Sequence, residues 1–200
     1  LTRIRLASEM LPSNSSALKE SLEEDIIEIN DILNQFLDFA RGFQDEPKTP
    51  INLGKLLKDI QTKHKRMGQT FTLKKKNIRT DIPKKLFIDI RPIAFQRCLD
   101  NLINNAFFYS TGKVILEATL LEESFTISIM DNGPGIPEDQ KSKLLLPFER
   151  VDEARGNKGG SGLGLTIADR IVKAHDGKLE LINRPEGGLD VKITIPIITA

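Results

Sequence analysis

The apolar residues of the segment 17–40 recur at alternating steps of four and three. They are Leu22, Ile26, Ile29, Leu33, Phe36 and Ala40. Four further apolar residues widen the stripe beyond that of a two-helix seam. They are Leu18, Ile27, Ile32 and Leu37. The pattern predicts an amphipathic helix that packs in a helical bundle.

A shorter helix is predicted before it, from Leu1 to Leu11, with Leu1, Ile4 and Leu11 on one side. It ends at Pro12-Ser-Asn-Ser-Ser, a run of helix-breaking and turn-forming residues. The two helices form a hairpin that buries too little apolar surface alone. We therefore expect a dimer whose two hairpins make a four-helix bundle, with the first helix truncated at its N-terminal end.

The pattern changes after a segment rich in Gly, Pro and acidic residues, which predicts a linker at 44–50 between a hairpin at 1–43 and a second domain at 51–200. In the second domain, the periodicities predict three helices and six strands. The helices are expected at about 52–66, 92–109 and 162–175, and the strands at about 70–74, 86–90, 114–120, 124–130, 178–183 and 189–196. Strand pairs beside helices favour a mixed sheet with helices on one face, so the fold class is α+β.

The composition and the charge distribution restrict the class of protein and the partners that the chain could bind. The chain has 200 residues, of which 28% are charged, and a formal net charge of +1, which is typical of a globular protein. No run approaches the length of an apolar membrane span, and the single cysteine, Cys98, excludes an internal disulfide. The segment 17–40 holds seven acidic residues and one lysine, whereas 55–91 holds twelve Lys or Arg and three Asp. Because stacking aromatics are sparse there, a solvated face is favoured over a nucleic-acid site, and an acidic protein partner remains open.

Candidate chemistry lies between Asn101 and Gly164. Asn101 and Asn105 are four residues apart in a predicted helix and so share one face. The loop Asp131-Asn-Gly-Pro-Gly-Ile-Pro follows a strand directly and offers one carboxylate among glycines that permit close ligand approach. A glycine-rich run from Gly156 to Gly164 opens the next helix, which suits phosphate binding. Its spacing matches neither a dinucleotide-binding fingerprint nor a P-loop.

With Pro147-Phe-Glu-Arg between them, these elements resemble, in order, the four sequence boxes of the Bergerat-type ATPases. The forms Asn-Leu-x-x-Asn-Ala-x-x-Tyr, Pro-Phe-x-Arg and Gly-Ser-Gly-Leu-Gly-Leu are similar to those of the histidine kinase branch. The first ten residues resemble the segment that follows the phosphoacceptor box His-Asp-Leu-Arg-Thr-Pro in EnvZ-type osmosensor kinases. The resemblance thus covers nearly the whole chain, and it implies that the phosphoacceptor box precedes Leu1.

The resemblance implies an α/β-sandwich domain that binds ATP and Mg²⁺. Asp131 would accept a hydrogen bond from the adenine amino group, Asn105 would hold Mg²⁺, and Arg150 would neutralise phosphoryl charge, so Asn105 and Arg150 are the expected catalytic residues. The other expected nucleotide-binding residues share the pocket or its glycine-rich lid. They are Asn101, Tyr109, Gly133, Gly135, Ile136, Arg155, Lys158, Gly160, Ser161, Gly162, Leu163 and Gly164.

One position departs from the family pattern. Many relatives carry Lys or Arg three residues after the magnesium asparagine, whereas this chain has Phe108. His64, in a basic cluster, and His175, at a helix end, do not occupy the bundle position that the family phosphorylates. The chain as given is therefore expected to bind ATP without phosphorylating itself.

The expected function is that of the catalytic core of a sensor histidine kinase. Such a core transfers the γ-phosphate to a histidine of the dimerisation helix and then to a response regulator. The family implies a homodimer, no direct nucleic-acid contact, and attachment to a bacterial inner membrane through upstream segments, with this part on the cytoplasmic side. Three alternatives remain: a non-kinase ATPase of the same superfamily, a nucleotide-binding pseudokinase or dimerisation module, and a kinase of the anti-sigma type.

Overall fold

The computed structural model describes residues 46–77, 87–110, 112–150 and 161–197, together with eight helical positions between Leu22 and Leu37. The helix predicted over 17–40 is confirmed at those positions, which are Leu22, Ile26, Ile29, Asn30, Ile32, Leu33, Phe36 and Leu37. Ala40 and the predicted first helix lie outside the described residues. Among these residues, no helix is long and apolar enough to cross a membrane.

Three helices form the helical layer of the second domain. They are α1 (Leu53–Arg66), α2 (Pro92–Tyr109) and α3 (Gly164–Lys173). Each lies within two residues of its predicted bounds, because an apolar stripe and local start signals agree. Asn52 caps α1, where its Oδ1 accepts from the Lys55 N–H at 2.8 Å, and α2 starts at Pro92, a residue suited to the first turn.

Five strands form a mixed sheet, as predicted. They are β2 (Thr72–Asn77), β4 (Ile115–Leu120), β5 (Ser124–Met130), β6 (Lys178–Asn183) and β7 (Leu189–Pro196), in the order β2-β4-β5-β7-β6. The strands β4, β5, β7 and β6 are antiparallel neighbours, and β2 pairs in parallel with β4. The strand β2 extends past the predicted end at residue 74 into a lysine run, which an edge strand tolerates well.

A two-stranded sheet precedes α2, and the sequence predicted only one of its two strands. The strand β1 (Thr49–Asn52) pairs antiparallel with β3 (Phe87–Ile90), with Ile51 opposite Ile88. Thr49 and Pro50 therefore lie in a strand, although the sequence placed them in the linker 44–50. The short strand contains a proline, so its pattern alone resembles a loop, and only its pairing with a distant segment defines it.

One face of the large sheet is apolar and the other is polar. The residues Leu116, Ile127 and Ile193 lie on neighbouring strands and are fully buried, whereas their neighbours along the chain, such as Glu117 and Ser128, are only half-buried. All three helices contribute buried residues to the same core, and α2 and α3 contact the sheet. The predicted layer of helices on one face is consistent with this alternation. Cys98 is completely buried in the core, and burial raises the pKa of its thiol.

The N-terminal end of α2 lies close to both Glu46 and the residue His175, which follows the C-terminal end of α3. The Glu46 carboxylate accepts from the backbone N–H groups of Ile93 at 2.7 Å and Ala94 at 2.9 Å, so it caps the N-terminus of α2. A carboxylate at this end of a helix also interacts favourably with the helix dipole. His175 follows α3, is buried, donates from Nδ1 to the Ile171 carbonyl at 2.7 Å and accepts at Nε2 from the Arg91 N–H at 2.9 Å.

We expect the free energy of unfolding to decrease as the pH falls below about 6.5. Burial, with Arg91 and Lys48 nearby, holds the pKa of His175 below its ordinary value of 6.5, more than the Ile171 hydrogen bond and Glu46 raise it. Between these two values only the unfolded chain takes up the proton, so stability is lost as the pH falls, and the contribution is complete above the ordinary value. One proton gives a slope of at most about 1.4 kcal/mol per pH unit.

Chemical denaturation of the chain and of His175→Gln between about pH 5 and pH 7.5 measures this contribution. Glutamine cannot take up a proton, so the variant should lose the part of the slope that His175 supplies, while the titration of Asp and Glu affects both chains equally. Equal slopes for the two chains below pH 6.5 would contradict the assignment.

Candidate functional site

The predicted asparagine pair lies on α2 and faces the start of α3. Asn101 and Asn105 are one helical turn apart and half-buried. A Cβ atom on Gly164, the first residue of α3, would lie 3.2 Å from Nδ2 and 3.4 Å from Oδ1 of Asn105. The Asn105 amide is therefore held directly against the N-terminus of α3.

The N-terminus of α3 has the properties of an anion site. Its N-cap, Leu163, is buried and makes no side-chain capping hydrogen bond, so the first N–H groups of the helix are not capped by that side chain. Thr166 lies in the first turn, is buried, and its Oγ1 has no hydrogen-bond partner within the described chain. A helix start without a cap from the Leu163 side chain, an unpartnered Thr166 hydroxyl among the described residues and a positive dipole end beside Asn105 suit a phosphate group.

A second polar centre lies where β5 ends. Asp131 is only 4% exposed. Its Oδ1 accepts from the backbone N–H of Gly133 at 2.7 Å and of Leu189 at 3.2 Å, and its own N–H donates to the Leu189 carbonyl at 2.9 Å. Both side-chain hydrogen bonds engage the same oxygen, so the carboxylate is fixed in orientation.

The loop that follows Asp131 packs against the C-terminal end of α2. A Cβ atom on Gly133 would lie 2.6 Å from the Tyr109 carbonyl oxygen, so only glycine fits there. Gly135 has a φ of +73°, a conformation that favours glycine, and Ile136 is buried. Tyr109 is partly exposed and packs edge to face against Phe108, with their ring centroids 4.9 Å apart. The structure thus brings Tyr109, Asp131 and Gly133 together.

The last residue of β6 and the turn that follows it hold this loop in place, and the sequence did not predict this contact. The Asn183 amide donates to the Ile136 carbonyl at 2.7 Å and accepts from the Ile136 N–H at 2.9 Å. The Arg184 guanidinium donates to the Asp131 carbonyl at 2.5 Å. Gly188 has a φ of +94°, and a Cβ atom there would lie 2.1 Å from that same carbonyl oxygen. The residues Pro185-Glu-Gly-Gly were the available signal, but they indicated only a turn.

The predicted lid, residues 156–164, is described only from Ser161 onward. Arg150, which precedes the lid, is exposed, whereas Arg155, Lys158 and Gly160 lie outside the described residues. Ser161 accepts from the Leu163 N–H through its hydroxyl at 3.2 Å. Gly162, with a φ of +71°, accepts from the Phe148 N–H at 3.1 Å. The described part of the lid therefore lies next to Phe148, two residues before Arg150.

His64 is buried, although it follows a lysine and precedes another. Its Nε2 lies 2.9 Å from Oδ1 of Asp100, and its Nδ1 lies 2.6 Å from Oε1 of Gln69. Lys63 contacts the other Asp100 oxygen at 2.6 Å. Burial alone would raise the pKa of Asp100, but the hydrogen bonds from His64 and Lys63 outweigh it and hold that pKa below its ordinary value. Asp100, beside Asn101 in sequence, is thus fully engaged in a link between α1 and α2.

Residues 90–199, more than half of the chain, match the family of histidine kinase-, DNA gyrase B- and HSP90-like ATPases. The chain belongs to this family. Within it, the sensor protein kinase WalK of Staphylococcus aureus is 36% identical over 195 residues, which cover 94% of this chain and 45% of that protein. WalK of Staphylococcus epidermidis is 34% identical, and the chain covers 31% of it. The chain therefore spans less than half the length of these relatives.

Solved structures agree with this relationship. The histidine kinase domain of the E. coli osmosensor EnvZ has a TM-score of 0.57 at 28% identity, with 77% of this chain and 91% of that domain covered. Full-length ShkA in complex with AMPPNP has a TM-score of 0.76 over 99% of this chain and 42% of that one, and at 21% identity it supports the fold alone. The predicted resemblance to the core of sensor histidine kinases is confirmed.

Proposed function

We propose that this chain is the ATP-binding catalytic core of a sensor histidine kinase. One observation carries the proposal: a buried, oriented carboxylate, Asp131, and an amide, Asn105, held at a helix N-terminus that its own N-cap side chain does not cap, lie at two ends of the site linked by Tyr109 and Gly133. This arrangement suits a ligand with a nitrogen base at one end and phosphates at the other. ATP is such a ligand.

Recognition of the base would depend on the free oxygen of Asp131. Because Oδ1 already accepts two backbone hydrogen bonds, Oδ2 is the oxygen that a ligand can use. A carboxylate accepts only, so it favours the amino group of adenine and disfavours the carbonyl that guanine carries at the same position. Ile136 and Leu163 are apolar and buried, as residues that line a base pocket should be.

The phosphates would lie between Asn105 and α3. The side-chain oxygen of Asn105 is a hard ligand suited to Mg²⁺. The first N–H groups of α3, which the Leu163 side chain does not cap, and the Thr166 hydroxyl, which has no partner among the described residues, fit phosphate oxygens. The ion would neutralise phosphate charge during transfer. Arg150 and Arg155, which precede the lid, and Lys158 within it would supply further positive charge, and Gly160 would give the lid freedom to close.

In the proposed reaction the γ-phosphoryl group leaves ATP and bonds to an imidazole nitrogen of a histidine on a dimerisation helix, and ADP is released. The group then passes to an aspartate of a response regulator. The homodimer is supported by five apolar residues of the bundle helix, Ile29, Ile32, Leu33, Phe36 and Leu37, which are 37–47% exposed in the single chain. A second hairpin, from another copy of the chain, would cover these residues. We also propose that upstream segments attach the whole protein to a membrane.

A non-kinase ATPase of the same family is less well supported. Such an enzyme needs a carboxylate that activates water on the helix that holds Mg²⁺. In this chain that helix is α2, and Asp100 is the candidate. Both of its oxygens are occupied, by His64 at 2.9 Å and by Lys63 at 2.6 Å. A carboxylate held this way, with a lowered pKa, is a poor general base.

A transfer assay tests the proposal. The chain is mixed with Mg-ATP labelled on the γ-phosphate and with a second chain that carries His-Asp-Leu-Arg-Thr-Pro before its hairpin and Asn105→Ala in its ATP domain. We expect acid-labile, alkali-stable label on the second chain and none on the first, because the hairpins form mixed dimers and only the first chain binds ATP.

The matched control replaces the first chain by its own Asn105→Ala variant, which should abolish the label. If the unaltered chain binds ATP in a separate titration but transfers no label, the kinase assignment is wrong and a nucleotide-sensing or hydrolytic domain is the better description.

A further inference from the structure

The end of β6 and the turn that follows it contact three backbone groups of the loop 131–137, which would face the base. Asn183 pairs with both the N–H and the carbonyl of Ile136, at 2.9 Å and 2.7 Å. Arg184 donates to the Asp131 carbonyl, and the Leu189 N–H donates to the Asp131 carboxylate. The loop is therefore fixed from the side of the sheet at both of the residues that would contact the base.

We infer that Asn183 and Arg184 are positioning residues that set the selectivity of this site for adenine over guanine nucleotides. The inference rests on the proposed function, since it concerns the same site. Neither residue needs to touch the nucleotide, because each acts through the backbone of the loop. We call the two residues the β6–β7 clamp.

The spacing of the clamp leaves little freedom for the loop. A Cβ atom on Gly135 would lie 2.8 Å from Oδ1 of Asn183, and one on Gly188 would lie 2.1 Å from the Asp131 carbonyl oxygen. The loop and turn therefore approach each other at backbone distance, which is the closest packing that two chain segments can adopt. A fixed loop keeps Oδ2 of Asp131 in one direction.

The direction of Asp131 Oδ2 affects the selectivity between adenine and guanine more strongly than it affects the overall affinity for nucleotides. An acceptor discriminates between an amino group and a carbonyl only when it points at them, because hydrogen bonds weaken steeply with angle. A loop that can tilt lets a water molecule bridge Asp131 to either base. Loosening the clamp should therefore weaken ATP binding more than GTP binding.

Asn183 is exposed, so its replacement should leave the core intact. We expect Asn183→Ala to lower the affinity for ATP about tenfold and to reduce the ratio of ATP to GTP affinity by a similar factor, as expected from the loss of about one net hydrogen bond. Asn183→Ser retains a hydroxyl that both donates and accepts, and should restore part of the ratio. Lys178→Ala is the matched control at the far end of β6, where the exposed Lys178 side chain forms an ion pair with the half-buried Glu180 at 2.8 Å.

The experiment is a calorimetric titration of Mg-ATP and Mg-GTP into each chain, with a thermal unfolding scan of each. An unchanged ratio in Asn183→Ala would overturn the inference, whether both affinities fall equally or neither falls. If the unaltered chain binds neither nucleotide, the proposed function fails and the inference with it. Should Asn183→Ala not fold, Arg184→Met replaces it, because it removes the contact to the Asp131 carbonyl and keeps an apolar stem of similar length.

Discussion

Replacing Asn105 by alanine should lower the affinity for Mg-ATP by about 100-fold or more, which corresponds to roughly 2.7 kcal/mol. Asn105 is the described side chain that combines a hard oxygen ligand with direct contact to the N-terminus of α3, at 3.2–3.4 Å from the position of a Cβ on Gly164. Its loss should remove the coupling between Mg²⁺ and the phosphates. The fold should persist, because alanine is the better helix former.

Calorimetry with ATP in the presence and absence of Mg²⁺ separates the two contributions. In the variant the affinity should become independent of Mg²⁺, whereas the unaltered chain should bind far more tightly with the ion. Asn104→Ala is the matched control, since Asn104 is an exposed neighbour on the same helix. Unchanged Mg-ATP affinity in Asn105→Ala would exclude Asn105 as the magnesium ligand.

Replacing Asp131 by asparagine should lower the affinity for ATP by about 100-fold and relax the preference for adenine. Asparagine can keep the oxygen that accepts from Gly133 at 2.7 Å, so the loop is retained, but it places an NH₂ group where Oδ2 stood. A donor facing the adenine amino group is repulsive, whereas a donor facing the guanine carbonyl is favourable. GTP should therefore lose less affinity than ATP, or gain some.

Competition between ATP and GTP for a fluorescent ADP analogue measures this shift. Asp139→Asn makes the same chemical change at an exposed carboxylate nearby and should alter neither affinity. If the Asp131 variant discriminates between the two nucleotides as the unaltered chain does, the base is recognised elsewhere and the pocket assignment is wrong.

Sequence periodicity predicted the elements that bury one clear face. The helix α2 and the strands β5, β6 and β7 have the predicted bounds, because their apolar residues alternate with the period of the element and strong turn signals flank them. The strand β1 was missed for the opposite reason. It has four residues and a proline, and the partner that stabilises it begins at Phe87.

The site was predicted only where its chemistry follows a local pattern. Asn105, Asp131 and the glycines lie in short motifs, whereas Asn183 and Arg184 act through hydrogen bonds to backbone groups 47 and 53 residues away. A backbone partner carries no side-chain signature, so such contacts leave no trace in a single sequence. The burial of His64 has a similar cause, since Asp100, its partner at 2.9 Å, belongs to another helix.

The Glu46 cap gives the domain a mechanical property. Its carboxylate grips the first turn of α2 through Ile93 and Ala94, and Asn105 lies twelve residues beyond Ile93 on the same helix, about 18 Å along its axis. An α-helix is stiff along its length and has no flexible joint over that distance. A displacement of residue 46 that moved α2 as a rigid helix would therefore also move the Asn105 amide, which faces α3.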